Sequence, residues 1–314
     1  MIQKLISVVV PFFNEETLVN EFVDRVYASV ADTGSTFEIV TVDDGSSDNT
    51  LALLLLRREK YKNIRIVSLS RNFGLQPALH AGIEHAKGDY IVVMDGDLQD
   101  PPELIPELIN TIVERDIDIV VGRRQSREEG WLKGQLIKWF HNIIEPRYFR
   151  VKQYDTGNFC ILRRVVAVAI LNAGEKQRYF PGLRSYVGFK VDYFDYNRQE
   201  RAGGSPKMTY RRLFSLAGDA LFNFSKWPIR VCFYIGLAGL VIFFLAIIYT
   251  LFSKMMGLAP LGWSSTFISI YLFGSLQLFF LGVIGEYVFR VYKEVQDRPI
   301  YVVREIYDKK ENRA

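Results

Sequence analysis

Two carboxylates one residue apart, Asp95 and Asp97, stand in the stretch Asp95-Gly96-Asp97-Leu98-Gln99-Asp100-Pro101-Pro102. The apolar run before them, Tyr90 to Met94, reads as a buried strand. Acidic side chains at the carboxyl end of such a strand face the crevice where open α/β sheets bind ligands. Asp-x-Asp at that point is a clamp for a hard divalent cation, Mg²⁺ or Mn²⁺, and such a cation brings substrate phosphates with it. A plain Asp-rich turn, with Asp100-Pro101-Pro102 opening the next helix, would look the same in isolation. The neighbouring strand ends decide between the two. The first apolar run ends in Pro11-Phe12-Phe13-Asn14-Glu15-Glu16, the second in Val42-Asp43-Asp44-Gly45-Ser46-Ser47-Asp48. No Gly-x-Gly-x-x-Gly follows the first strand, so this is not a standard dinucleotide cradle. Carboxylates at these tips suit ribose hydroxyls, base edges and a metal better than bare phosphate.

The elements that must carry these residues alternate. Strands are predicted over 6–10, 37–42, 64–69, 90–94 and 117–121, and helices over 16–30, 48–60, 75–87 and 102–115. That order implies an α/β fold with a doubly wound, mostly parallel sheet and right-handed crossovers. His80, His85 and His141 have no ligand spacing and read as structural. The two cysteines, Cys160 and Cys232, predict no disulfide.

The chain has 314 residues and a net charge of +4, far short of a polybasic nucleic-acid binder. Its character changes near residue 228. No charged residue occurs from Val231 to Ser253, nor from Met255 to Gly285, whose dense part is Thr266–Ile284. Each run is long enough to cross a hydrocarbon core of about 30 Å as a helix. Arg230, Arg290 and Lys293 flank the pair and only Lys254 lies between, so residues 1–228 and the tail 291–314 are expected in the cytoplasm, joined by a two-helix anchor over 229–290. Leu5–Val10 is too short an apolar run for a signal peptide. Gly130–Ile144 and Tyr210–Phe224 place apolar residues at helical spacing beside basic ones, which predicts interfacial amphipathic helices near 130–145 and 208–225. Small residues in the spans, and a β-like run at Pro299–Val303 that could pair with a neighbouring subunit, predict a homo-oligomer, with a tetramer as one arrangement.

The motifs VVVPFFNEE, VDDGSSDNT, RNFG and MDGDLQDPPE, in this order, resemble the inverting family 2 glycosyltransferases of GT-A fold. Val121-Gly122-Arg123-Arg124, Asp155-Thr156-Gly157-Asn158-Phe159, Val187-Gly188-Phe189 and Arg201-Ala202-Gly203-Gly204-Ser205 are similar to the polyprenyl-phosphate branch, with its dolichyl-phosphate mannose synthases and bacterial Gtr-type bactoprenol glucosyltransferases. The resemblance implies roles. Pro11, Asn14 and Glu15 would line the nucleoside pocket, and Asp43, with Asp44 beside it, would contact base or ribose. Asp95 and Asp97 would hold nucleotide and metal, with Gln99 a further ligand. Many relatives carry an acid where this chain has Asn158, so no catalytic base carries over to that position, and Asp155 is the neighbouring candidate.

A lipid-phosphate acceptor needs no base, because a phosphate monoester's second pKa is about 6. The reaction needs cations instead. Arg123, Arg127 and Arg201 are the expected catalytic cations beside Asp97, and Arg124, Arg198 and Lys207 the expected acceptor-phosphate contacts. The expected activity is inverting transfer of a hexose, glucose first, from a UDP-sugar to undecaprenyl phosphate at the cytoplasmic face of the bacterial inner membrane. GDP-mannose and a UDP-linked 4-amino-arabinose derivative are alternative donors. A processive polysaccharide synthase is disfavoured because Gln-x-x-Arg-Trp is absent. A non-catalytic membrane scaffold is disfavoured by intact Asp95, Asp97 and Gln99.

Overall fold

The computed structural model describes residues 4–31, 33–124, 156–176, 178–197 and 263–308, with scattered positions between 234 and 256. The expected interfacial helices near 130–145 and 208–225, and Arg127, Asp155, Arg198, Arg201 and Lys207, lie outside the described residues. Contacts divide the chain into two units, Met1–Ser205 with Arg298–Ala314, and Pro206–Asp297.

The first unit is built on one sheet. Its strands are β1 Ile6–Phe12, β2 Phe37–Asp43, β3 Ile64–Leu69, β4 Tyr90–Val93, β5 Ile119–Arg124, β6 Thr156–Arg163, β7 Val191–Tyr196 and β8 Val303–Tyr307. They lie in the order β7-β5-β6-β4-β1-β2-β3-β8. The pairs among β3, β2, β1 and β4 are parallel. β6 enters antiparallel between β4 and β5, and β7 then pairs parallel with β5. The sheet is therefore mixed: the expected parallel half is there, and an antiparallel strand separates it from β5 and β7.

Both faces of the central strands are buried, in keeping with their mainly apolar sequences. Val8 and Val10 point to one apolar layer and Val9 to the other. Helix α1, Val19–Ala31, presents Val19, Phe22, Val23, Val26 and Val30 to the first layer at helical spacing. Helix α2, Thr50–Lys60, adds Leu54 to it. Helix α3, Leu75–His85, covers the opposite layer with Ala78, Leu79, Ala81 and Ile83. Helix α4, Ile105–Glu114, returns to the first layer with Ile105, Leu108, Ile109 and Ile112.

Two helices begin later than the sequence suggests, at Val19 and Thr50 rather than Glu16 and Asp48. The acidic residues before them serve as cross-links between loops. Glu16 Oε2 accepts the Asn49 backbone N–H at 3.1 Å, and Asp48 Oδ2 accepts the Glu16 N–H at 3.2 Å. Pro102–Leu104 forms a 3-10 turn ahead of α4.

The tail differs from expectation in register and partner. The strand is Val303–Tyr307, and it pairs antiparallel with β3 of its own chain. Its end is fastened by charge: Asp308 Oδ2 sits 3.0 Å from Arg65 Nη2 and 3.5 Å from Lys87 Nζ, and Arg58 donates to the Asp308 carbonyl. Tyr301 hydrogen-bonds Glu84 on α3.

In the second unit, Trp263–Val295 is a 33-residue helix. Among the described residues it is the one helix long and apolar enough to cross a membrane, through Leu272–Val295. At 1.5 Å per residue it is about 50 Å long, more than a hydrocarbon core of about 30 Å requires. The Arg290–Glu286 pair, at 2.7 Å, neutralises charge near its end. The earlier apolar run is described only in part, and its described residues from 234 to 252 are helical.

Candidate active site

The parallel register brings the ends of β1, β2 and β4 to one edge, with Phe12 opposite Asp43 and Val9 opposite Val93. Two glycines make the approach close enough. A Cβ on Gly96 would lie 2.8 Å from the Phe12 ring and 2.9 Å from the Pro11 carbonyl, so the acidic turn crosses directly over the end of β1. Gly45, at φ +64°, would put a Cβ 2.4 Å from the Arg71 backbone, so only glycine lets the β2 turn meet the 71–74 loop.

The residues expected around a nucleoside lie at the ends of β1 and β2 and in the turns after them, where their contacts tie loops together. Asp43 is buried and accepts the Ser46 N–H at 3.2 Å and the Ser68 hydroxyl at 3.3 Å. Asp44 uses both oxygens on the backbone N–H groups of Phe73 and Gly74, each at 2.8 Å. Burial raises its pKa above the usual carboxylate value, and those two donors oppose the rise. Its geometry is that of a brace for the RNFG loop and the start of α3. Asn14, at φ 53°, accepts the Ser47 N–H at 2.8 Å and clips the β1 turn to the β2 turn. The Glu15 N–H donates to Thr50 at 3.0 Å, and Pro11 lies buried in β1.

The acidic turn after β4 is compact. Asp97 Oδ1 accepts the Gln99 N–H at 3.2 Å, and Leu98 between them is buried at φ 59°. A left-handed leucine costs on the order of 1–3 kcal/mol and persists only where packing fixes it. The Asn158 side-chain amide donates to Asp95 Oδ1 at 2.9 Å. Burial pushes Asp95 up to about 6, with Asp100 and Asp97 adding to the rise and Asn158 and Arg124 opposing it. Asp100 is fully buried, accepts the Tyr196 hydroxyl at 2.5 Å and lies 3.7 Å from Arg124 Nη2.

The two consecutive arginines of β5 therefore part company. Arg124 joins the acidic turn. Arg123 forks onto Asp195, with Nη2 at 2.7 Å from Oδ2, and lies over the Tyr193 ring. Arg123 is half exposed on its pair with Asp195, whereas Arg124, the next residue of the strand, stands 3.7 Å from Asp100 in the acidic turn. Sequence reasoning gave no role to Asp100 or Tyr196. Asp100 lay within the acidic motif, but nothing in the sequence marks Tyr196. His80 is buried with its pKa lowered to about 4 by burial and by Arg178, which fits its structural assignment.

Among the described residues no three His, Cys, Asp or Glu side chains converge into a metal cage. The acids nevertheless fit a shared cation. Burial first, and then the carboxylates of Asp100 and Asp97, push Asp95 toward protonation, and a divalent ion would relieve the repulsive part. Mg²⁺-type sites commonly take one or two protein carboxylates and complete the shell with substrate phosphate and water. Asp95 and Asp97 suit that arrangement, with the partly exposed Gln99 beside them.

Residues 7–171, which span this acidic edge, match the family described as Glycosyl transferase family 2. The chain belongs to that family. An uncharacterized glycosyltransferase of Synechocystis is 38% identical over 96% of this chain and 95% of its own length. A prophage-derived bactoprenol glucosyl transferase of Shigella flexneri is 35% identical over 95% of this chain and 97% of its own. The crystal structure of a mycobacterial protein shares the fold at a TM-score of 0.50 and 18% identity, covering 70% of this chain and 73% of that one. In this chain the Asp95–Asn158 and Asp100–Tyr196–Arg124 contacts meet at the acidic turn.

Proposed function

We propose that the protein transfers a hexose, glucose in the first instance, from a UDP-sugar to undecaprenyl phosphate, with inversion at the anomeric carbon. The observation that carries this reading is the near full-length likeness to bactoprenol glucosyl transferases, joined to an acidic turn with one partly buried arginine beside it. Asp43 supports the nucleoside from the end of β2. Asp95 and Asp97 would hold a Mg²⁺ or Mn²⁺ ion, which when bound neutralises the departing diphosphate as a Lewis acid. Arg124 offers a forked donor to the incoming phosphate, which is already an anion and needs no base. That matches an Asn at 158, whose amide donates to Asp95 and cannot accept a proton from an acceptor hydroxyl. Arg127, Arg198, Arg201 and Lys207 are proposed as further acceptor cations.

An anionic acceptor attacking opposite the diphosphate gives inversion in one displacement. A retaining double displacement would need a protein nucleophile beneath the anomeric carbon, and the acidic turn is committed to the nucleotide and ion. The helix Trp263–Val295 and the apolar run before it would anchor the enzyme to the membrane that holds its acceptor, with the first unit on the cytoplasmic side. The test is incubation of the full chain with undecaprenyl phosphate and, separately, UDP-glucose, GDP-mannose and a UDP-4-amino-arabinose donor, with product mass measured. A hexosyl polyprenyl phosphate from UDP-glucose supports the reading. Turnover of none of the three removes it.

A further inference from the structure

Arg124 is held by more than its own strand. Its Nε donates to Tyr196 Oη at 3.3 Å, and the same hydroxyl donates to Asp100 Oδ1 at 2.5 Å. Its Nη2 stands 3.7 Å from that Asp100 oxygen. Asp100 is 0% and Tyr196 5% exposed. Three elements thus converge on one guanidinium: β5 carries it, β7 supplies Tyr196 as its register partner, and the turn after β4 supplies Asp100. The fourth wall is a gap. A Cβ on Gly157 in β6 would lie 2.4 Å from Arg124 Nη2.

Burying a carboxylate and a guanidinium together is a poor way to gain stability, because desolvation offsets the attraction. It is a good way to fix a cation. A free arginine gives up about 2 kcal/mol of rotamer freedom when it is immobilised, and a site that has fixed it beforehand presents charge without reorganisation.

We infer that Asp100 and Tyr196 are positioning residues that hold the Arg124 guanidinium to receive the acceptor phosphate, and that Gly157 is the gap that admits it. This rests on the polyprenyl-phosphate acceptor proposed above. Neither Asp100 nor Tyr196 touches substrate in this arrangement. They act through Arg124, so their loss weakens the acceptor step and leaves the nucleotide step alone.

Two substitutions perturb the cation by independent routes. Tyr196→Phe removes one hydroxyl and keeps the ring, which packs edge-on against Phe159 at 5.5 Å. Gly157→Ala leaves both Asp100 and Tyr196 intact and displaces the guanidinium by bulk. In the full chain, each is expected to raise the KM for undecaprenyl phosphate about tenfold, the scale of one charge-assisted hydrogen bond. UDP affinity by calorimetry in Mg²⁺ should stay within about twofold, since Asp43, Asp95 and Asp97 all keep their side chains. In an Arg124→Ala background, Tyr196→Phe should add nothing further to the acceptor KM, because coupled residues are non-additive. A purely structural tether would show additivity and a loss of both substrates. Unchanged acceptor KM in both variants, equal loss of UDP affinity, or full additivity with Arg124→Ala each overturns the inference while wild type still transfers sugar to the lipid. A wild-type chain that ignores undecaprenyl phosphate overturns the acceptor reading, and the inference with it.

Discussion

Asn158 on β6 donates its side-chain amide to Asp95 on the turn after β4, at 2.9 Å, across the antiparallel pair that interrupts the sheet. An amide here stabilises the ionised form of its partner, whereas an acid would compete with it for one proton. Asn158→Asp should therefore leave the fold intact and lower kcat/KM at pH 7 by about tenfold or more, the effect of placing like charges side by side at a buried site. The loss should be larger at pH 6 than at pH 8. A pH profile of the variant that overlays the wild type would show that the amide has no electrostatic part.

Asp95 itself predicts a pH-dependent stability. Its folded value of about 6 lies above its ordinary value of 3.8, so the folded state binds the proton more tightly than the unfolded chain. The associated stability is fully present below about pH 4 and is lost as pH rises to about 6, where the carboxylate must ionise in its buried site. Denaturant titration of the nucleotide-free, metal-free protein across that window should show the decline. Asp95→Asn should remove that part of the slope. An identical slope in the variant would assign the effect to other groups.

Asp97→Asn should give a folded protein with at least about a hundredfold loss of transfer, on the scale of removing electrostatic stabilisation from a reacting centre. Excess chelator should abolish wild-type turnover, and added Mn²⁺ or Mg²⁺ should restore it. Full wild-type activity in chelator would take the cation out of the reaction.

Arg123→Ala separates the two arginines of β5. Arg123 is half exposed and paired with Asp195, and exposed pairs contribute about 0–1 kcal/mol. Turnover should stay within about twofold of wild type by the same measure, whereas Arg124→Ala should cripple the use of acceptor. Equal loss in both variants would show that Arg123 also reaches the reacting phosphates.

Asp44→Ala should act through the 71–74 loop. It strands the part-buried Phe73 and Gly74 N–H groups, at a cost of up to about 1–3 kcal/mol for each. The thermal midpoint should fall and UDP affinity should weaken together. Asp43→Asn, in contrast, should weaken UDP binding with little change in midpoint.

Much of this architecture could be read from residue order. The strands β1 to β4 announce themselves as mainly apolar runs because they are covered on both faces, and α1 and α4 by their helical spacing. β6 and β7 did not. Thr156–Arg163 opens with the polar residues of a site, and Val191–Tyr196 is only half covered, so neither carries a clean period. The acidic turn was legible because its residues are consecutive. The Tyr196–Asp100 contact spans 96 positions along the chain, and no local pattern encodes a partner at that distance. The side-chain roles of Asn14 and Asp44 were also hidden, since a polar residue in a loop looks alike whether it meets a ligand or a neighbouring backbone.

The strand beside β3 has a consequence for biosynthesis. Val303–Tyr307 is made after every residue of the second unit, yet it belongs to the first. On the ribosome, the amino-terminal part must wait with the β3 edge open until the apolar segments have been delivered and the last residues emerge. An open edge is a template for pairing with other chains. A fragment ending at residue 228 would be frozen at that stage, so it should self-associate. A synthetic peptide of residues 298–308, added in excess, should bind it and keep it monodisperse in light scattering, and a peptide carrying prolines at alternate strand positions should not. Completion of the sheet would then serve as a signal that the apolar segments have already been made.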